Sequence, residues 1–490
     1  MSYTTFNADT GNTNTSINVT GLTNNRYYQF KVSAINSEGV GLPAETITVA
    51  PRIAPNAPTN VVVSAGNAQV IVSWTASNLN GGSAIAGYKV EYAVSPYSTW
   101  STAVASTSST SHTVTGLTNG TNYKFRVTGT NQFVTGPTSE LSSAVSPTAF
   151  SATGGTITTY TSSGVNYKVH TFTSSGTLTV VSGYTNVDFL IVAGGGAGGY
   201  SLGGGGGGGG VISGTNYTLT ENADLTITIG AGATGPTSSN NVNDGNDSQI
   251  QGTGINFKAH GGGGGGGYNG STPGNSGGSG GGQGWNNARD PTSAKYYDTN
   301  GTLQDMPSSG QYTMSTSSGT VVVYGNKGGE HGGGYVPSAG GGAGQVGGGT
   351  DENNKNHQAH GGDGIQIAWT TPQALGVTGG NHGIADTVGF YWGGGGGANS
   401  HANTAGSGDG GKGGGGAGKR RFNTNPSWGI QGVARSGGYA QPSLSNVPSD
   451  GSGGDGGTNT GGGGGGGDYS TSPSYGGAGG SGIVVIRYVG

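Results

Sequence analysis

An all-β fold is what two patterns in this sequence predict and what a third feature, its composition, allows. Short segments alternate apolar and polar residues with period two: Tyr28, Phe30 and Val32; Val70, Val72 and Trp74; Tyr88, Val90 and Tyr92; Tyr123, Phe125 and Val127. Such alternation puts the apolar side chains on one face of a half-buried strand. Two other segments, 187–193 and 483–489, are apolar at nearly every position, as strands covered on both faces must be. Glycine supplies 112 of 490 residues, about 23% where roughly 7% is usual. It falls in blocks that no helix interior tolerates.

Composition narrows the classes further. Collagen needs glycine at every third position and abundant proline, whereas this chain has blocks and 17 prolines. A disordered chain would be highly charged and poor in aromatics; here charged residues are 8% and there are 23 Tyr, 10 Phe and 6 Trp. A formal charge of −4 with 18 Lys and Arg spread thinly leaves no basic stripe, so no nucleic-acid partner is expected. The absence of cysteine removes disulfides and thiolate metal ligands. No run reaches the ~18 apolar residues of a spanning helix, and no membrane insertion is expected. Residues 1–20 lack the basic start and apolar stretch of a signal peptide. The expectation is therefore release by another route, such as lysis, or a chain that is a fragment.

The first 150 residues contain a repeat. Shifted by 95 positions, Gly21-Leu22-Thr23-Asn24 falls on Gly116-Leu117-Thr118-Asn119, and Tyr28, Phe30 and Val32 fall on Tyr123, Phe125 and Val127. Asn36, Gly41 and Glu45 fall on Asn131, Gly136 and Glu140 with no slip of register. Several short strands with turn residues between them predict a two-sheet sandwich. Residues 55–148 resemble a fibronectin type III domain in the entry Pro55-Asn56-Ala57-Pro58, in Trp74, and in Leu117 and Tyr123 placed like the tyrosine corner. The domains read as 51–148, complete, and 1–50, only the C-terminal half, either truncated or complemented by another chain. The resemblance implies spacers or modules that bind proteins and glycans; without an Arg-Gly-Asp tripeptide, a spacer is expected.

Residues 149–490 form a glycine-rich domain with a β-base expected over 155–260 and 483–489. Its strands are read in Tyr167-Lys168-Val169-His170-Thr171-Phe172, in 177–181, in 187–193, in the alternating Leu225, Ile227 and Ile229, and in Ile483-Val484-Val485-Ile486-Arg487-Tyr488-Val489. With the first and last strands in one sheet, 194–482 would project as insertions. These hold the blocks 203–210, 261–267, 332–334, 340–342, 347–349, 393–397, 413–416 and 461–467. Glycine can wind as a polyproline II helix with its backbone groups outward. Without side chains such helices pack backbone to backbone, so that hydrogen bonds replace the missing apolar core. The passage from Asp188 to Gly199 and the ending from Gly476 to Tyr488 resemble the opening and closing of glycine-rich domains in phage tail-fibre proteins. The plan is similar to the receptor-binding adhesins of long tail fibres, which implies a packed bundle of polyglycine II helices with irregular, receptor-recognising loops.

Several motifs are weak. Gly194, Gly196 and Gly199 satisfy G-x-G-x-x-G after a strand, but no helix can follow to hold a pyrophosphate. Gly406 to Lys412 approaches a phosphate loop but is followed by Gly413, not Ser or Thr. His357, His360, Asp351, Glu352 and Asp363 could hold a metal only if a fold aligned them; a solvated loop is the plainer reading. Asn243, Asp244, Asn246 and Asp247 read as turn chemistry. With no nucleophile elbow and no convincing carboxylate pair, neither enzyme activity nor a cofactor nor a metal is expected.

The positive signal is aromatic residues between the glycine blocks: Trp285, Tyr296, Tyr297 and Tyr312; Trp369, Phe390, Tyr391 and Trp392; Phe422, Trp428 and Tyr439; Tyr469 and Tyr475. Met306, Met314 and the triplet Lys419-Arg420-Arg421 accompany them. Rigid aromatics give contact area at low entropic cost; capping of the bundle would use the same residues. The expected function is a virion tail-fibre or extracellular adhesin that meets a bacterial surface receptor, an outer-membrane protein or a glycan, and joins other fibre or filament subunits through its N-terminal part. The alternatives are a structural subunit of a filament or matrix and an ice-binding protein, the latter opposed by bulky, irregular insertions.

Overall fold

The computed structural model describes residues 4–7, 9–24, 26–183, 185–219, 224–252, 255–268, 272–285, 292–316, 319–330, 337–349, 359–375, 390–399, 407–418, 452–468 and 474–490. The chain divides into two compact units, 1–149 and 150–490. Among the described residues there is β-structure and no α-helix.

In the first unit, residues 56–145 make a sandwich. One sheet holds the strands Thr59–Gly66, Gln69–Thr75 and Ser111–Thr115; the other holds, in spatial order, Thr135–Thr138, Tyr123–Asn131, Ile85–Val94 and Ser101–Thr107. The alternating residues Val70, Val72 and Trp74 meet Tyr88, Val90, Phe125 and Val127 in a single core, and Trp74 sets its edge on Tyr88 at 5.5 Å. The Tyr123 hydroxyl accepts a hydrogen bond from the Thr118 amide at 3.0 Å, closing the corner that the sequence spacing predicts. Residues 4–50 repeat the corner, with Tyr28 Oη accepting from the Thr23 amide at 2.9 Å. Their described residues form two short ladders, Lys31–Val32 with Ala44–Glu45 and Ile35–Asn36 with Gly39–Val40, and a bridge between Tyr28 and Val49.

The second unit is built on two sheets. The larger has seven strands in the order Thr156–Ser162, Val165–Phe172, Ile483–Val489, Thr185–Val192, Val211–Leu219, Gly319–Tyr324 and Gln311–Thr316, every neighbour antiparallel. The smaller runs Ser151–Thr153, Gly176–Ser182, Leu225–Thr228, Ser248–Gly252 and Ile255–Ala259. The two nearly continuous apolar segments lie side by side near the centre of the larger sheet. Val187, Phe189, Ile191, Val484 and Ile486 enter the main core with residues of the smaller sheet. Leu190, Val192, Ile483 and Val485 face the other way, into a second core that includes Phe390 and Trp392. Two covered faces explain why neither segment alternates. The base is larger than 155–260 and 483–489: the hairpin strands Gln311–Thr316 and Gly319–Tyr324 join the sheet edge because Met314, Val321 and Val323 reach the main core.

Inside that core His170 is fully buried, its Nδ1 2.7 Å from the Gly154 carbonyl and its Nε2 3.1 Å from the Tyr488 hydroxyl. Burial lowers the imidazole pKa from its ordinary 6.5, with Lys168 adding to the effect and the Gly154 contact opposing it. Burial likewise pushes the Tyr488 phenol up to about 12. The folded state therefore binds the His170 proton less readily than the unfolded chain. Its contribution is whole above pH 6.5 and is lost as the pH falls toward the folded pKa, with a limiting slope of about 1.4 kcal/mol per pH unit. Urea midpoints of the second unit between pH 8 and pH 5 should fall more steeply for the parent than for a His170→Gln variant; parallel curves would show that folding leaves the affinity of the imidazole for its proton unchanged.

Candidate functional site

The glycine segments run between the two sheets and an end remote from them. Residues 194–199 leave the strand Thr185–Val192, and 203–210 return to Val211–Leu219. Segments 261–267, 279–284 and 393–397 lead outward; 337–343 and 474–482 lead back. Pairing within this array repeats in threes, where a strand repeats in twos. The amides of Gly204, Gly207 and Gly210 donate to the carbonyls of Gly266, Gly263 and His260 at 3.0, 2.7 and 2.9 Å. Those of Gly205 and Gly208 donate to Ser338 and Gly341, and those of Gly206 and Gly209 to Gly464 and Gly461. One segment is thus bonded to three neighbours in turn. A Cβ on Gly205, Gly206 or Gly208 would enter the carbonyl oxygen of Gly396, Gly196 or Gly393. Side chains hold the margins of the array: the Asp244 carboxylate accepts from the Gly264 amide at 2.7 Å, Asp247 from Gly261 at 2.9 Å, Asp363 from Lys412 at 2.8 Å and Asp455 from Ala478 at 2.8 Å.

Aromatic residues gather at the remote end, where the segments turn. Trp285 stacks on Tyr268 with ring centroids 4.8 Å apart and planes 4° from parallel, and its amide donates to the Leu202 carbonyl at 3.2 Å. Tyr475 meets Tyr200 edge-on at 6.1 Å. Trp285, Tyr475, Tyr268 and Tyr200 are all half-buried. Tyr200 and Tyr268 were absent from the sequence-derived candidates, although each directly follows a glycine segment, and that position is the signal that marks them.

Three candidates are core residues, which corrects the sequence reading. Phe390 and Trp392 have no exposed surface, and Trp392 Nε1 donates to Thr370 Oγ1 at 3.0 Å. Both cover the outer face of the seven-stranded sheet, which would otherwise show Leu190 and Val485 to water. Tyr296 is 8% exposed, in the main core, with its ring 4.5 Å from that of the half-buried Tyr312. Trp369 packs on the second core, and the Arg487 guanidinium lies 4.7 Å from both its ring and that of Tyr167 while binding Asp188 at 2.7 Å. Tyr391 is half-buried under the Lys412 ammonium, 5.1 Å from its ring. Phe422, Trp428, Tyr439, Tyr469 and the triplet Lys419-Arg420-Arg421 lie outside the described residues.

Comparison with known proteins decides the family. The segment 170–489, well over half of the chain, matches the family described as a glycine-rich domain. The chain belongs to the glycine-rich domain family. Residues 56–145 match the fibronectin type III domain. Exoglucanase A and Exoglucanase B of Cellulomonas fimi are 38% and 35% identical over 121 and 149 residues, covering 24% and 29% of this chain and 13% of each relative. A Kelch domain-containing protein of Saccharolobus solfataricus is 40% identical over 76 residues, 16% of this chain and 10% of that protein. The chain thus spans only about a tenth of the length of these curated relatives. Among solved structures, titin domains A168–A170 align over 25% of this chain and 40% of that one with 30% identity and a TM-score of 0.21. A glycine-rich domain following a fibronectin type III domain is the make-up of an extracellular or structural protein.

Within the glycine-rich domain the weak motifs have structural occupations. The amides of Gly194, Gly196 and Gly199 donate to Asn246, Gly207 and Gly204, so the backbone that a pyrophosphate would need is already bonded. Of the metal candidates, His357, Asp351 and Glu352 lie outside the described residues; His360 Nδ1 accepts from the Asp409 amide at 2.9 Å and Asp363 binds the Lys412 backbone. Among the described residues no three His, Asp or Glu side chains converge as metal ligands would. The oxygen-rich turn at 243–247 ties glycine segments together. Burial alone would raise the Asp247 carboxyl, but hydrogen bonds from His260, Lys258 and the Gly261 amide outweigh it and hold the group well below the usual carboxylate range. Tyr297 completes this cluster, its hydroxyl 3.1 Å from Asp247 and its ring 4.4 Å from the Lys258 ammonium.

Proposed function

We propose that this chain is an adhesin of the phage tail-fibre kind, whose glycine-rich domain recognises a receptor on a bacterial surface while the fibronectin type III domain serves as a spacer. In this reading the glycine segments wind as polyglycine II helices and make a stiff stem. The observation that carries it is the gathering of the half-buried aromatics Tyr200, Tyr268, Trp285 and Tyr475 at the end remote from the sheets. In 194–199, 203–210, 261–267, 393–397 and 461–467 every position is glycine or alanine, and aromatic side chains appear where these segments turn. Aromatic pairs at the end of a stem preformed by backbone hydrogen bonds would lose little entropy on binding. The receptor would be an outer-membrane protein or a glycan, the action binding without chemistry, and the site of action the virion fibre or another extracellular surface.

The test is binding of the full chain to a panel of bacterial cells, beside a variant with Tyr268, Trp285 and Tyr475 as alanine. Strain-selective binding that weakens at least tenfold in a variant with unchanged circular dichroism is expected, since central aromatic anchors are each worth about 2 kcal/mol or more. Absence of binding to any strain would favour a structural subunit of an extracellular filament, a reading supported by the uncovered apolar residues of 4–50.

A further inference from the structure

We propose that the fibronectin type III domain carries a second contact site, a cationic and aromatic patch on one sheet face that binds an acidic polysaccharide through its carboxylate-bearing sugars. From 59 to 138 the only charged side chains, histidine aside, are Lys89, Glu91, Lys124 and Arg126. Their strand neighbours Tyr88, Val90, Phe125 and Val127 enter the core, so alternation turns all four to the opposite face of the same sheet. Arg126 lies directly across from Glu91, with Lys124 opposite Ala93 and Lys89 opposite Thr128. The strands of the other sheet carry no such charge. Three cations and one carboxylate thus share one face, in a chain whose formal charge is −4.

Two half-buried rings complete the patch. The Arg126 guanidinium lies 4.1 Å from the centre of the Trp100 ring, and the Lys124 ammonium 5.0 Å from that of Tyr97. Glu91 is held by Lys89 at 2.6 Å and by Arg126 Nε at 3.0 Å, which fixes the guanidinium and leaves its two terminal nitrogens as donors to a ligand. Among the described residues neither Lys124 nor the exposed Glu140 forms an ion pair. Surface charges of this kind add little to stability, and the fold does not require these. The repeat keeps Leu22, Tyr28, Phe30 and Val32 of the sandwich pattern, yet has Ser2, Thr5 and Gln29 where Tyr97, Trp100 and Lys124 stand.

The pairing of ring and cation defines the ligand. A carboxylate accepts charge-assisted hydrogen bonds from the Arg126 fork or the Lys124 ammonium, while the C–H face of the sugar that bears it meets the Trp100 or Tyr97 ring. Lys124 and Arg126 stand two residues apart on one strand, roughly 7 Å, so a polymer with carboxylates on successive sugars engages both at once. An acidic peptide fits less well. The patch is a sheet face without a backbone edge, so a peptide would lose its ordering entropy for side-chain contacts alone. This site is independent of the receptor reading of the glycine-rich domain and gives the spacer a hold of its own on a polysaccharide layer.

The probe is polygalacturonate, titrated calorimetrically into the full chain beside its methyl ester, which lacks the charge, and poly-L-glutamate, which lacks the sugar rings. Polygalacturonate is expected to bind, and the other two at least about tenfold more weakly. Lys124→Gln and Trp100→Ala chains with unchanged circular dichroism should each lose about tenfold in affinity, as loss of a charged hydrogen bond or a ring contact implies. Tyr475→Ala should bind as the parent does. The proposal is overturned if polygalacturonate does not bind, if either patch variant binds it as tightly as the parent, or if Tyr475→Ala weakens it as much as they do. Equal binding of the methyl ester would overturn it as well, and so would equal binding of poly-L-glutamate, which would assign the patch to an acidic protein.

Discussion

A Gly205→Ala substitution is expected to unfold the glycine-rich unit well below the temperature at which the parent melts. One methyl group is a small change in most proteins, and overpacking a conventional core by that amount costs about 1–3 kcal/mol because side chains rotate away. Around Gly205 there are no side chains to rotate. The new Cβ would enter the carbonyl of Gly396 and approach the amide of Gly340, which are bonded to each other and, through the Gly396 amide, to Gly206, while their neighbours Gly395 and Gly341 donate on to Gly362 and Gly280. Relief requires segments to separate, and each separated pair strands buried amides at about 1–3 kcal/mol apiece. A loss above about 3 kcal/mol is therefore expected. Gly176→Ala is the contrast, since its Cβ would lie 3.7 Å from the Phe172 ring in ordinary contact; it should be neutral or gain up to about 1 kcal/mol through the unfolded chain. Calorimetry of both variants decides the matter, and equal melting temperatures would refute backbone packing as the source of stability.

Trp392→Ala should cost about 3–5 kcal/mol, the usual price of emptying a large aromatic site. Trp392 is completely buried against the outer face of the seven-stranded sheet and is anchored through Nε1 to Thr370. Trp285→Ala, by contrast, removes a half-buried ring stacked on Tyr268 and should cost about 1 kcal/mol. Paired denaturation curves followed by far-ultraviolet circular dichroism would show a large shift for the first and a small one for the second. The reverse order would mean that the insertion carrying 390–392 does not cover the sheet.

Much of the fold was legible because side chains wrote it. Period-two alternation at 70–74, 88–92 and 123–127 located the sandwich strands, and the loss of alternation at 187–193 and 483–489 located the doubly covered centre of the larger sheet. The hairpin strands at 311–316 and 319–324 are not distinguished in the sequence from the insertions between glycine blocks, because their apolar residues are mixed with Ser and Thr. The aromatic candidates were read by type, and type does not separate a presented ring from a buried one. A finer signal existed at Phe390, Tyr391 and Trp392, where alternation predicts the outer two inward and the middle one outward, as observed. The partners of each glycine segment were not legible at all, because a residue without a side chain carries no mark of which neighbour it should meet.

The three-residue repeat of the amide bonds has a consequence for how such a chain can change length. With the polyglycine II winding proposed above, one glycine added within 203–210 would turn all later residues of the segment by about 120°, offering the amides now bonded to 261–267 to a different neighbour. Three added together would restore every direction and merely lengthen the segment by about 9 Å. Length variation inside the segments should therefore come in triplets, a reading frame written in residues.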